Sequence, residues 1–369
     1  MFAETQDQQV FASTTKRFLD AHYPISKVRE LATEETAFDP QLWREAAALG
    51  WTALLVSEDA GGGSISDNGL ADLLIVAAEF GHHAAPGPLL GTNAVAAALG
   101  RWGSSEQQHG PLAEIVAGDA VGAWAYAPEV TARVSGDAVV VDGDIANVES
   151  AGDATYLLVS ADELGGRSHY LISLASPGVE LTRLQSIDLT RHFYQVSLRG
   201  VEVSVDARVG ERRAADEQDA LLLDIVSVIA LGEMVGAVAR SFEMTLEWTL
   251  NRYSFGRPLG SYQAIKHRMA DVRTQLEASE AVADRAAFAV GTGAPDARAW
   301  AHAGMAYVGR YGPEIIQECI QFHGGIGVTY DHDLHVFLRR VTLDANVFGS
   351  PGSFAYRLGD LVATMEGAL

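Results

Sequence analysis

The chain has 369 residues, of which 48% are apolar and 20% charged, and its formal net charge is −22 at pH 7. The length allows two or three cores, because single domains usually stop growing near ~250 residues. The acidic balance argues against nucleic acid or an anionic membrane as partner, because phosphate binding requires clustered cations. Cys319 is the only cysteine, which excludes an internal disulfide and suits a cytoplasmic location. We expect it to be a buried structural thiol.

The periodicity of apolar residues divides the chain into three zones. Residues 1–120 have helical spacing, with a helix start at Asp39-Pro40 and a stop at Gly50. Residues 121–212 alternate with a period of two. Short β-branched runs there predict a small antiparallel barrel or sandwich, with strands over residues 134–141, 155–159, 169–174, 195–198 and 201–205.

Residues 213–369 return to helical spacing with longer elements. The run 216–251 is almost uncharged between Ile225 and Ala239, which predicts a buried central helix. Further helices are predicted over 261–290, 296–323 and 333–348. The sequence therefore predicts an α+β fold: an N-terminal helical domain (1–120), a middle antiparallel β domain (121–212) and a C-terminal four-helix bundle (213–369).

A chain corner follows the long apolar helix. Arg252 and Phe255 close that helix, Gly256 and Gly260 break the chain, and Ser261 opens the next helix. Such a corner can direct a fixed cation and an aromatic face at one target, as a nucleotide diphosphate requires. The alternative is an arginine that binds the carbonyls at its own helix end.

A second corner, Gln321-Phe-His-Gly-Gly-Ile-Gly327, lies about 70 residues further on. A helix C-cap requires one glycine, whereas this corner has three in four residues, so close approach of a ligand to the backbone is favoured over a simple cap. His332 and His335 lack a Cys or Glu at helical spacing, so no metal site is expected.

These two corners, in this order of helices, strands and helices, resemble the acyl-CoA dehydrogenase family over nearly the whole chain. Residues 55–64 and 184–191 also resemble segments of that family. The resemblance implies FAD as cofactor. In the family, the arginine of the first corner reaches the diphosphate of a neighbouring subunit's FAD and the phenylalanine packs on its adenosine. Those roles fall on Arg252 and Phe255.

The remaining cofactor contacts implied by the resemblance follow from the same two corners. Ser254, Leu259 and Tyr262 would line the first corner. Gln321, Gly324 and Gly325 would approach the adenine ribose and the diphosphate.

Two segments that hold the flavin ring in the family depart from its pattern here. The glycine-rich loop early in the β domain corresponds to residues 123–132, which are shorter and contain no glycine. The segment that stacks against the ring corresponds to residues 146–150, Ala-Asn-Val-Glu-Ser. The adenosine-side corners are thus retained while the ring contacts are lost.

The catalytic base of the family is also missing from its two usual places. Counting from the corners, those places hold Phe348 and Val226. A base that takes a proton from carbon needs a carboxylate with a raised pKa, and burial supplies that shift. Glu233 lies on the same helix face as Val226, about 10 Å along the axis; Asp224 faces elsewhere. Glu233 is the candidate base, and the alternative is a structural acid paired with an arginine or a helix N-terminus.

A partial site is explained by a heteromer in which a homologous subunit supplies the ring-binding loop and the base. The chain resembles actinobacterial α2β2 acyl-CoA dehydrogenases acting on steroid-CoA thioesters. The resemblance implies α,β-desaturation of an acyl-CoA, electron transfer to an electron-transfer flavoprotein, and a cytoplasmic enzyme. Two alternatives remain open: a homomeric dehydrogenase that uses Glu233 or Asp224, and a catalytically silent structural or binding subunit.

Overall fold

The computed structural model describes residues 5–34, 38–126 and 129–366, with side chains through residue 363. The chain divides into two compact units. The helical unit consists of Met1–Glu30, Leu70–Ala85 and Ser227–Leu369, and the sheet unit consists of Leu31–Gly69 and Pro86–Val226. The helix Ala215–Asn251 contributes its beginning to the sheet unit and its remainder to the helical unit.

The α-helices, in chain order, are α1 Gln6–His22, α2 Ile25–Leu31, α3 Pro40–Ala47, α4 Gly69–His83, α5 Leu89–Trp102, α6 Ser105–Gln107, α7 Ala113–Ala117, α8 Ala215–Asn251, α9 Gln263–Gly291, α10 Ala297–His323, α11 Leu334–Asp344 and α12 Pro351–Glu366. The strands are β1 Gly122–Ala125, β2 Glu129–Ser135, β3 Ala138–Glu149, β4 Tyr156–Asp162, β5 Arg167–Ser173, β6 Val179–Leu184, β7 Phe193–Ser204, β8 Arg208–Val209, β9 Tyr253–Ser254 and β10 Arg257–Pro258.

The predicted α+β fold with helical, sheet and helical parts is confirmed. In the helical unit, α10 packs against α9, α11 and α12. The buried thiol predicted at Cys319 is also found, because its side chain is fully buried in α10. The three domain boundaries stay a prediction.

The long helix α8 is the central element predicted from its apolar run. By length and composition it could cross a membrane, but 94% of its most apolar window is buried inside the protein. Burial of this kind is typical of a core helix.

The close packing of α8 on α4 depends on two glycines. A Cβ atom added to Gly236 would lie 1.8 Å from the carbonyl oxygen of Ala78, and one added to Gly81 would lie 1.8 Å from the carbonyl oxygen of Glu233. Both neighbours are backbone atoms, which cannot rotate away. The two helix backbones therefore come closer than any larger residue would allow.

We predict that Gly236→Ala lowers the free energy of unfolding by about 1–3 kcal/mol or more, because the helices must separate to admit the methyl group. Urea unfolding followed by circular dichroism measures the change. Gly359→Ala is the matched control: it lies in α12, is exposed, and has no atom within 4 Å of an added Cβ. The control should stabilise by about 0.5–1 kcal/mol through helix propensity. Equal effects of the two substitutions would contradict the packing argument.

The sheet unit is built on one mixed sheet. Its strand order is β6-β7-β3-β2-β4-β5-β8, and β1 pairs with β4 in parallel. β2 also pairs with β4 in parallel at Thr131 and Asp162. The middle part was predicted to be antiparallel throughout, and it is instead mixed. Tyr170 and the aliphatic residues that face inward from β1 to β7 form its core.

The strand predicted over residues 134–141 is instead a hairpin of β2 and β3. Ser135 pairs with Ala138, and Gly136 takes a φ of +61° in the two-residue turn between them. Glycine is favoured at this position because tight hairpin turns require positive φ. The two strands predicted over 195–198 and 201–205 form the single strand β7.

Candidate functional site

The first corner is a short hairpin at the end of α8. β9 and β10 pair in antiparallel order, and Phe255 and Gly256 form the turn with φ values of +51° and +82°. A non-glycine residue in this region is strained, above all a bulky one. The turn nevertheless presents the Phe255 ring outward, with 98% of the residue exposed.

Three of the predicted contact residues hold the shape of this corner. The Leu259 backbone N–H donates to the Arg252 carbonyl oxygen at 2.8 Å. The Tyr262 hydroxyl donates to the Ser254 carbonyl oxygen at 2.8 Å. The Arg257 guanidinium lies 3.8 Å above the centre of the Tyr262 ring. The corner is therefore braced before any ligand binds.

The second corner is the end of α10. Gly324 has a φ of +63° and its N–H donates to the Gln321 carbonyl oxygen, so this glycine closes the helix. An added Cβ at Gly324 or Gly325 would meet no atom within 4 Å. The backbone here borders open space, and a ligand could approach it closely.

Trp248 joins the two corners. The Arg252 guanidinium lies 5.5 Å from the centre of the Trp248 ring. The His323 ring stacks on the same tryptophan, and the two ring centroids are 5.1 Å apart. His323 Nδ1 hydrogen-bonds the Cys319 carbonyl oxygen at 2.8 Å, and burial lowers the pKa of this imidazole. The structure thus brings Arg252 and the glycine corner together in one chain.

Sequence reasoning did not select Trp248. Its signal was its position four residues before Arg252, which places both side chains on the same face of α8.

Exposed apolar side chains surround these corners. Leu246, Leu250 and Tyr253 lie before Phe255 along the chain, and each is at least 43% exposed. The loop after the second corner adds Ile326, Val328 and Tyr330, each at least 41% exposed. Exposed apolar residues that cluster in sequence around a corner are typical of surfaces covered by another molecule.

In the sheet unit, the connection between β1 and β2 is short. Tyr126 follows β1, and the other two residues before β2, Ala127 and Pro128, lie outside the described residues.

Glu149, in the segment 146–150, forms a buried ion pair with Arg191. Arg191 Nε and Nη2 donate to Glu149 Oε1 and Oε2 at 2.6 and 2.7 Å, in a two-pronged contact. The side chains are 2% and 12% exposed. A register shift between β3 and β7 lies just before Glu149, between Ile145 and Val148.

A small polar cavity adjoins this ion pair. Its volume is about 10 Å³, and Glu149, Ser150, Asp153 and His192 are among its lining residues. That space holds about one water molecule. Burial lowers the pKa of His192, and its Nε2 has no hydrogen-bond partner among the described residues.

The two acids predicted as candidate bases are both buried in α8. Glu233 is 2% exposed and its Oε2 lies 3.2 Å from Arg340 Nη1. Arg340 also donates to the carbonyl oxygens of Ala84 and Ala85. This contact favours the structural alternative for Glu233, although its role as base stays a prediction. Asp224 is 4% exposed.

Comparison with known proteins agrees with this architecture. The sequence matches the model of the acyl-CoA dehydrogenase N-terminal domain over residues 5–119. It matches the model of the acyl-CoA dehydrogenase C-terminal domain over residues 227–351. The chain is 29% identical over 356 residues to acyl-CoA dehydrogenase IpdE2 of Mycolicibacterium smegmatis, covering 96% of this chain and 98% of the relative.

Two solved structures are similar over nearly their whole length. The ChsE4–ChsE5 complex from Mycobacterium tuberculosis matches with a TM-score of 0.87 and 26% identity, covering 98% of this chain and 99% of the matched one. The Tcur3481–Tcur3483 steroid ACAD G363A variant matches with a TM-score of 0.86 and 27% identity at the same coverage.

Proposed function

Because this chain belongs to the acyl-CoA dehydrogenase family, we propose that it is one subunit of a heteromeric enzyme that desaturates a steroid side-chain acyl-CoA. The enzyme is an FAD-dependent oxidoreductase, as its relatives are. FAD, when bound, supplies the acceptor for the hydride that leaves the β-carbon. The complete flavin site would form at the interface with a homologous subunit.

The proposal rests on a contrast between two parts of the chain. The two corners that would contact the adenosine side of FAD lie close together, whereas the segment 146–150, which would contact the flavin ring, takes part in a buried ion pair. Arg252, Trp248 and the glycine corner lie together in the helical unit and fit a nucleotide diphosphate, which binds fixed cations and close backbone. Arg252 would hold the diphosphate, and the Phe255 ring would pack on the adenosine.

The ring-side segment supports a missing half-site. Glu149 and Arg191 form a two-pronged ion pair, and the adjoining cavity has room for about one water molecule. An isoalloxazine ring is uncharged and much larger than that cavity. Residues 146–150 carry a single hydroxyl, that of Ser150, and the cavity beside them has no space for the ring, so the partner subunit would supply this end of the site.

The buried acids support a base in the partner. Glu233 is held by Arg340, and the positions that carry the base in the family hold Val226 and Phe348, both buried. A carboxylate fixed by an arginine is a poor acceptor for a proton from carbon, because the cation favours its ionised form.

The exposed apolar residues around the corners support a partner subunit. A nucleotide alone covers few side chains, whereas a homologous subunit would bury Phe255 and its neighbours in one interface. The names of the two matched structures each give two protein components, and one of them is described as a steroid ACAD. We extend the same assembly and substrate class to this chain, with an electron-transfer flavoprotein as acceptor in the cytoplasm.

The test is the flavin content of the assembled enzyme. The chain is co-expressed with a homologous dehydrogenase subunit, purified, and its bound flavin is measured by absorbance against polypeptide. We expect about one flavin for two chains in the mixed oligomer and none in this chain alone. One flavin per chain in a pure oligomer that oxidises an acyl-CoA would replace the proposal with the homomeric alternative.

A further inference from the structure

The C-terminal end of α4 brings three metal-ligating side chains together. Glu79, His82 and His83 each offer one ligand atom, and these atoms all lie within 4.8 Å of one another. The three residues follow helical spacing at positions i, i+3 and i+4, which places them on adjoining parts of one turn.

A carboxylate lies within hydrogen-bond distance of the Nε2 atom of both His82 and His83. His82 Nε2 lies 2.9 Å from Glu243 Oε2 of α8, and His83 Nε2 lies 2.9 Å from Asp20 Oδ1 of α1. Metal-binding histidines characteristically donate one ring N–H to a carboxylate and bind the ion through the other nitrogen. Each imidazole therefore has its Nε2 held by a carboxylate and its Nδ1 directed elsewhere.

Two of the three proposed ligand atoms lack a hydrogen-bond partner in the described part of the chain. His82 Nδ1 and Glu79 Oε2 are buried and have no hydrogen-bond partner among the described residues. His83 Nδ1 donates to the Glu79 carbonyl oxygen at 2.8 Å and lies 3.6 Å from Glu79 Oε2, so metal binding through this nitrogen would replace its bond to the carbonyl.

We propose that Glu79, His82 and His83 form a site for a divalent transition-metal ion of the zinc class. Two imidazoles and one carboxylate are a ligand set that zinc uses, with a fourth position open to water. Bonds of about 2.0–2.1 Å would draw the ligand atoms inward from their present separation. The side chains of Glu79 and His82 are 22% and 19% exposed, so the cluster lies close to the protein surface although its ligand atoms are buried.

The ion would connect three helices of the helical unit. Its ligands come from α4, and the supporting carboxylates come from α1 and α8. Lys16 and Arg240 lie beside those carboxylates at 3.3 and 3.4 Å. Binding to the folded state alone would raise stability, so the role assigned to this ion is structural and independent of FAD.

The test titrates Zn²⁺ into the full-length, untagged protein after chelator treatment, using isothermal calorimetry and elemental analysis. We expect one zinc per chain and a higher melting temperature with zinc. Glu79→Gln and His82→Ala should each remove saturable binding, and Asp20→Asn should weaken it about 10- to 100-fold.

The control is His109→Ala, which removes an exposed histidine bonded only to a carbonyl oxygen and should leave binding unchanged. Circular dichroism checks that each variant folds, and the near-isosteric Glu79→Gln and Asp20→Asn carry the test if His82→Ala does not. Absence of stoichiometric zinc in the wild type, or zinc binding by the Glu79→Gln/His82→Ala double variant at wild-type strength, would overturn the proposal.

Discussion

Replacing Arg252 with alanine is expected to weaken flavin retention by the assembled enzyme about 10- to 150-fold. A hydrogen bond to a charged group contributes about 1.5–3 kcal/mol, and each 1.4 kcal/mol is tenfold in affinity. Arg252 is exposed at the end of α8, and its guanidinium lies beside the Trp248 ring. Its loss should leave the corner itself intact, because the bonds of Leu259 and Tyr262 use backbone oxygens.

The measurement is the dissociation constant of FAD from the reconstituted heteromer, obtained from flavin fluorescence after dilution. Arg252→Lys should be intermediate, because an ammonium keeps the charge and loses the planar fork. Arg273→Ala is the control: this arginine is exposed on α9 and pairs with Glu277. Flavin retention by Arg252→Ala equal to that of the control would favour the silent structural subunit.

Replacing Arg340 with leucine is expected to lower the free energy of unfolding by about 3–5 kcal/mol. The change leaves the Glu233 carboxylate buried without its cation, which costs far more than an exposed ion pair contributes. It also removes the donors to the Ala84 and Ala85 carbonyl oxygens after α4. Urea unfolding of wild type and variant measures the difference.

The double variant Arg340→Leu/Glu233→Leu should recover most of that loss, since removing both charges avoids an unpaired one. Glu233→Gln separates the two roles of this acid. A structural acid predicts turnover by the reconstituted enzyme within a few-fold of wild type. Loss of a catalytic base would reduce turnover about 10²- to 10⁴-fold, and that result would restore Glu233 as the base.

Most of the helices and strands could be predicted from local patterns of apolar residues and turn signals. The apolar run of α8 and its stop near Arg252 predicted a buried central helix, and α8 spans Ala215–Asn251. The hairpin of β2 and β3 was missed because the predicted strand ran across Gly136-Asp137, although a glycine followed by an aspartate between apolar runs is itself a turn signal.

The candidate site likewise combines features that the sequence predicts with contacts that only the fold reveals. The two corners were recognisable because their glycines and their Arg-Phe spacing are local features. Their meeting through Trp248 was not, because Trp248 and His323 are 75 residues apart and helical spacing is uninformative about which helices become neighbours. The Glu149–Arg191 pair was hidden for the same reason, since its partners are 42 residues apart.

The sequence by itself determined the family, the order of helical, sheet and helical parts, and the two corners, since each depends on residues within one or two turns of the chain. Only the tertiary structure decided the partners of the buried charges: Arg340 for Glu233, Arg191 for Glu149, and the carboxylates around His82 and His83. The physical reason is that a charge can be buried only where a compensating group meets it, and that meeting depends on packing between distant segments.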